Sequence, residues 1–299
     1  MPYRYHTADV FTNSAFGGNQ LAVLPEARGL TDRQMIAIAR EFNFSESVFV
    51  FPADDKAHTR RLRIFTPGGE LPFAGHPTVG TAFVLAATGE VNLTGDETRI
   101  VFEEGVGPVP VLIRAEDGRP VLAQLTAARI PETTACPYDA ASVAKALSLS
   151  PDAILGSPHA IESWSVGLQF LFVPLKDRDA LSRSRVNTAV WNEVIAGDDA
   201  SQVFLFAQEG NEIFARMYMP GYGIPEDPAT GSAVAALGGY LASRSTVRDG
   251  TLKCAVHQGV EMGRPSLLEL EVDMAGGSVT AVRVGGASVL ISSGTLHVP

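Results

Sequence analysis

Cysteine is scarce in this chain of 299 residues: Cys136 and Cys254 are its only two. Two thiols cannot build a disulfide framework, and they fit a reducing cytosol. No run approaches the roughly 18 apolar residues of a membrane span. The opening MPYRYHTADVF has no apolar h-region, so neither signal peptide nor membrane anchor is expected. The six histidines show no H-x-H or H-E-x-x-H spacing and neither cysteine has a C-x-x-C partner, so no metal site is expected. G-x-S-x-G, G-x-x-x-x-G-K-[ST] and G-x-G-x-x-G are all missing, which removes the usual nucleophile elbow, phosphate loop and dinucleotide fingerprint. Positive charge is also short, with 23 Lys and Arg against 33 Asp and Glu and a formal net charge of -10. That balance argues against nucleic acid or an anionic membrane as a partner, and makes a small anionic substrate dependent on strong local donors. What is abundant is apolar: 45% of the residues are hydrophobic, enough for a substantial core in one or two domains. The expectation is a cytoplasmic protein.

The chain repeats itself. GNQLAVLP (18–25) lines up with GLQFLFVP (167–174), SVFVF (47–51) with QVFLF (202–206), and RIFTP (63–67) with RMYMP (216–220). ELPFAGH (70–76) then pairs with EDPATGS (226–232), and EGV (104–106) with QGV (258–260). Five collinear matches at about half the chain length predict a duplicated domain. Alternating segments RLRIF, TRIVF, VPVLIR and IFARMY predict strands. Helices are predicted at TDRQMIAIAREF with Thr31 as N-cap, HPTVGTAFVLAA, DAASVAKALS, near TAVWNEVIAG, and at SAVAALGGYLAS. The second and last of these are nearly uncharged, which marks each as a buried helix wrapped by sheet. The junction is expected near TAARIPETTACP (126–137).

Both buried helices begin with the same plan: acid, proline, glycine, one polar residue, then small and apolar residues. A helix start offers free N–H groups and about half a positive charge, so it attracts anions. Gly75 and Gly231 permit close approach of a ligand, and His76 and Ser232 add donors beside them. The repeat also fails in informative places. Glu46 is matched by Ser201 and Asp227 by Leu71, so each acid stands on one side only. Two carboxylates in distinct environments suit general acid–base chemistry. Glu46 has Phe42, Phe44, Val48 and Phe49 as sequence neighbours, which predicts partial burial and a raised pKa. Arg63 and Arg216, at matching strand positions, are expected to be structural partners for acids.

The motifs FGGNQLAV, SESVFV, ELPFAGHPTVGTA, EDPATGSA and QGVEMGRPS resemble those of the phenazine biosynthesis-like (PhzF) isomerase family, over essentially the whole chain. The resemblance implies an α+β fold similar to diaminopimelate epimerase. It has two pseudo-symmetric halves, 1–128 and 129–283, each a curled sheet round a central helix. Residues 284–299 would cross back to the first half, and the site would lie in the cleft. Carried over, the acid/base glutamate is Glu46, with His76 and Asp227 completing the catalytic set and Asn19, Ser45, Gly75, Gly231 and Ser232 binding substrate. The epimerases place cysteines just before the two glycines. Ala74 and Thr230 stand there, so a two-thiol mechanism is not available. Gln20 takes the place of the family's proline after Gly-Asn. The implied activity is a cofactor-free isomerisation that moves a proton on a small carboxylate, in a homodimer. A racemase or epimerase of an amino acid-like compound, or a non-catalytic binding or scaffold protein, are the alternatives.

Overall fold

The computed structural model describes residues 2–195 and 202–298. The chain forms two compact units, Met1–Ala128 with Val284–Pro299, and Arg129–Arg283. In the first unit the strand Pro2–Val10 turns antiparallel onto Asn19–Leu24, which runs parallel to Glu46–Phe51. The parallel step needs a crossover, supplied by the helix Asp32–Phe42. Glu46–Phe51 pairs antiparallel with Arg60–Thr66, which pairs with the short strand Gly69–Leu71. Arg60–Thr66 also lies parallel to Glu97–Glu104, and Gly107–Glu116 and Arg119–Thr126 continue as an antiparallel meander. The strand Ser288–His297 pairs antiparallel with Pro2–Val10.

The second unit repeats this order. Glu132–Thr134 pairs with Glu162–Ser165, which turns antiparallel onto Gln169–Pro174. That strand is parallel to Val203–Glu209, followed by antiparallel Glu212–Met219 and Ile224–Asp227. Glu212–Met219 is parallel to Gly250–Gln258, which pairs antiparallel with Ser266–Ala275. Every pairing step has its counterpart in the first unit. Glu132–Thr134 lies in the segment expected to be a plain junction; it finds the open edge of Glu162–Ser165 and satisfies its backbone there.

Each unit is built round one helix, Gly75–Ala87 or Gly231–Ala242. The first touches the strands Pro2–Val10, Asn19–Leu24, Glu46–Phe51, Gly107–Glu116 and Arg119–Thr126, so the sheet curls about it. All residues of Gly231–Ala242 are buried, and all of Gly75–Ala87 except the last. That explains their composition, since an unpaired charge in such a place costs several kcal/mol. The peripheral helix Asp32–Phe42 is instead amphipathic. Met35, Ile38 and Ala39 pack with Leu24, Phe49 and Phe65, and Thr31 with Gln34 forms a capping box at its start. In the second unit Ala140–Ala146 and Thr188–Val194 pack round Trp191, and residues 196–197 of the expected run lie outside the described residues. The short helix Arg178–Arg183 has no apolar period to announce it; its start is capped by Asp177.

The ion pairs obey the repeat. Arg63 binds Glu70 and Asp32, and Arg216 binds Glu226 through two hydrogen bonds of 2.8 Å. Arg216 is 4% exposed and also reaches the carbonyls of Leu181, Ser182 and Ser184. No helix among the described residues is long and apolar enough to cross a membrane.

Candidate active site

Two strand starts and one helix start meet in the first unit. Asn19 opens its strand, and Glu46 opens the neighbouring parallel strand opposite Leu21. His76 is the second residue of the central helix. Asn19, Glu46 and His76 are 1%, 9% and 4% exposed. The His76 Nε2 atom lies 3.3 Å from the Gln20 carbonyl oxygen. A carbonyl only accepts, so Nε2 carries the ring proton and Nδ1 presents a lone pair. The Asn19 amide donates to that Nδ1 at 3.3 Å, and Glu46 Oε2 approaches the same atom at 3.3 Å. Burial drives His76 down to about 3, so the ring is neutral at ordinary pH. The Ser45 hydroxyl donates to Asn19 Oδ1 at 3.4 Å. Asn19, Ser45 and His76 therefore form one hydrogen-bonded group, with Glu46 against it, at the start of the helix that Gly75 opens.

The phenylalanines about Glu46 are arranged differently from the sequence expectation. Successive strand residues face opposite ways, so Phe49 points away from the Glu46 face and packs with Met35 and Phe65. Phe42 joins that same cluster. Glu46 is buried by its place at the end of two paired strands rather than by a wall of rings.

A second group forms in the other unit. Asp227 ends the strand Ile224–Asp227 and is 6% exposed. The Thr230 hydroxyl donates to Asp227 Oδ2 at 2.6 Å. Gln258 Nε2 donates to the Asp227 carbonyl at 2.8 Å and to Thr230 Oγ1 at 3.0 Å, while its Oε1 accepts the Thr230 N–H. Gly231 and Ser232 follow as the first two helical residues, both buried. Thr230 and Gln258 are the residues that sequence reasoning missed as site builders. Their signals were present: Thr230 stands where the epimerases carry a thiol, and Gln258 is the repeat mate of Glu104. Leu71, the mate of Asp227, sits in the short strand Gly69–Leu71, and Ser201, the mate of Glu46, lies outside the described residues.

The helix starts themselves differ from their neighbours. Asp32–Phe42, Ala140–Ala146, Arg178–Arg183 and Thr188–Val194 each begin with a side-chain cap, from Thr31, Asp139, Asp177 and Asn187. The two central helices begin at Ala74 and Thr230 without one, and neither has an acid in its first turn. The residue before each of them supplies no side-chain cap, and an anion is the natural complement of such a helix end. Cys136 packs against the second unit's apolar cluster, and Cys254 is buried in the strand Gly250–Gln258 with its thiol pushed up by burial.

The model of the family described as "Phenazine biosynthesis-like protein" matches residues 8–294. The chain is 37% identical over 303 residues to an uncharacterized isomerase of Mesorhizobium japonicum, covering 98% of each. It is 34% identical over 295 residues to the trans-2,3-dihydro-3-hydroxyanthranilate isomerase of Pseudomonas aeruginosa, covering 99% of each. Among solved structures, a Bacillus anthracis phenazine biosynthesis protein of the PhzF family superposes with a TM-score of 0.88 over the whole of both chains. At 23% identity that last likeness speaks for the fold alone.

Proposed function

The chain belongs to the phenazine biosynthesis-like, or PhzF, family and is an isomerase, and from that premise we propose that it moves a proton between two carbons of a small carboxylate by acid–base catalysis without a cofactor. The observation that carries this reading is the 3.3 Å approach of Glu46 Oε2 to His76 Nδ1 beside an uncapped helix start. In the reaction Glu46 takes a proton from one substrate carbon, the electron pair shifts along the conjugated system, and the proton returns to another carbon. Composition is unchanged, and no oxidant or reductant is needed.

The neutral His76 ring, held by Asn19 and Gln20, orients Glu46. The N–H groups at the Gly75 helix start bind the carboxylate and the charge that develops as the proton leaves. Asp227, fixed by Thr230, is a carboxylate in an environment unlike that of Glu46. Ala74 and Thr230 in place of thiols count against an epimerase using two cysteines. The name of the Pseudomonas aeruginosa relative supplies a first substrate to try, trans-2,3-dihydro-3-hydroxyanthranilate.

The test is deuterium incorporation into that compound in heavy water, followed by mass spectrometry for the wild type and Glu46→Gln. Glutamine keeps the shape but cannot carry the proton, so exchange should fall by about 10² to 10⁴-fold. Ligand binding should weaken far less. Exchange at the wild-type rate in Glu46→Gln would remove Glu46 as the proton carrier.

A further inference from the structure

Glu104 ends the strand Glu97–Glu104 and is 9% exposed, a carboxyl group buried among apolar neighbours and unused by the reaction above. It faces inward with Ile100 and Phe102, toward the first turn of Gly75–Ala87. Its Oε1 lies 2.6 Å from the Thr78 hydroxyl, which also lies 2.8 Å from the Ala74 carbonyl oxygen. Glu104 Oε2 is buried with no hydrogen-bond partner. Thr78 has one hydroxyl proton for two oxygen neighbours. A proton on Glu104 completes the chain: Oε1–H donates to Thr78, and Thr78 donates to Ala74. An ionised Glu104 would leave a charged oxygen buried without a donor, the costlier arrangement.

The other unit shows what this position does. Gln258 is the repeat mate of Glu104, and each is followed by a glycine packed on the matching proline. A Cβ on Gly105 would meet Pro72 atoms at 2.8–2.9 Å, and one on Gly259 would meet the Pro228 carbonyl oxygen at 2.7 Å. Gln258 donates through its amide to the residues before its helix. A neutral amide and a neutral acid can do that work, and a carboxylate cannot.

We infer that Glu104 is a positioning residue that works as a neutral acid, and that its ionisation closes the Gly75 helix start to an anionic substrate. The inference rests on the reading that this helix start binds the substrate carboxylate. A negative charge set against the first turn would compete with the substrate for the same positive end. The other groups about Glu104 are already engaged. His76 of the same helix is held by Asn19, Gln20 and Glu46. Glu103, next in the chain, is bound by the Asp54 and Asp55 N–H groups and His58. Glu70 near Pro72 is bound to Arg63, and Gly107 is the strand partner opposite. Burial pushes Glu104 up to about 8, opposed by the Thr78 bond.

Two measurements on wild type and Glu104→Gln test the inference. In kcat/KM for the proton transfer, the wild type should decline through a midpoint near the value to which burial moves Glu104. The decline should come chiefly from a rising KM. Glu104→Gln should match the wild type within a few-fold at pH 7 and lack that decline. The second measurement needs no substrate and so fails separately from the proposed reaction. An acid with a raised folded-state pKa stabilises the fold fully below its unfolded value of 4.5 and loses that contribution as pH rises toward about 8. The Tm of Glu104→Gln relative to wild type should therefore climb between those pH values. A difference in Tm that is flat with pH would overturn the inference. So would an alkaline decline shared by both proteins, or loss of activity at pH 7 in a folded Glu104→Gln.

Discussion

At the scale of single residues, Asp227 and Glu46 are not interchangeable. Asp227 is gripped by the Thr230 hydroxyl, which is itself held by Gln258, whereas Glu46 touches a neutral imidazole. Asp227→Asn keeps an oxygen for Thr230 to bond and loses only the charge. It should fold normally and lose roughly 10²-fold in turnover, with unchanged circular dichroism as the control. The cysteines should behave oppositely. Cys254 is buried with its thiol disfavoured as an anion, and Cys136 packs on an apolar cluster, so neither is a ready nucleophile. Changing both to Ala should leave turnover nearly intact; abolished activity in a folded double variant would revive a thiol mechanism. Legibility at this scale was uneven. His76 showed itself by position, but its tautomer required the Gln20 carbonyl, which comes from a neighbouring strand.

At the scale of elements, the same ion pair occurs twice in different surroundings. Arg63 is about a quarter exposed with its acids at the surface, while Arg216 is almost fully enclosed. An exposed pair is worth about 0–1 kcal/mol. Removing one partner of a buried pair costs about 3–5 kcal/mol, because the other charge is left unmatched. Arg216→Met should therefore lower stability to urea sharply, and Arg63→Met hardly at all; equal losses would show that burial does not separate the two sites. The repeat made both arginines visible as structural partners. It could not grade them, because the three carbonyls that surround Arg216 belong to Leu181, Ser182 and Ser184, in and just after a helix that has no sequence period. The missing caps are likewise an element-level fact: EDPATGS reads as a helix start, but that no side chain closes it follows only from the built geometry.

At the scale of the whole molecule, net charge and local donors pull in opposite directions. On the proposed reading, a formal charge of -10 repels the anionic substrate at long range, and the helix start attracts it only at contact. Salt screens the long-range part within about 8–10 Å and barely touches hydrogen bonds made in a buried site. The expectation is that kcat/KM rises modestly as ionic strength goes from about 10 mM to 150 mM, with kcat steady. A steep fall with salt would mean that long-range attraction governs binding.

The sequence by itself pointed to a repeat, to the two central helices and to the strands at RLRIF, TRIVF, VPVLIR and IFARMY. These depend on periodicity, on the absence of charge from a buried helix, and on the collinear order of short motifs. It also singled out Glu46 and Asp227, acids present in one copy and missing from the other, and His76, by its place after Gly75 at a helix start. Only the tertiary structure decided what each of them touches. The Glu46–His76 contact joins residues 30 positions apart through the pairing of two parallel strands, and no local pattern fixes which imidazole nitrogen faces the acid. Glu104 is the clearest case. In the sequence it is one more acid at a strand end, while in the fold an inward-facing position, one hydroxyl and an unpartnered oxygen make its neutral form the stable one. Alternation sets the face a side chain takes, but the charge it can keep there is set by the neighbours that folding brings to it.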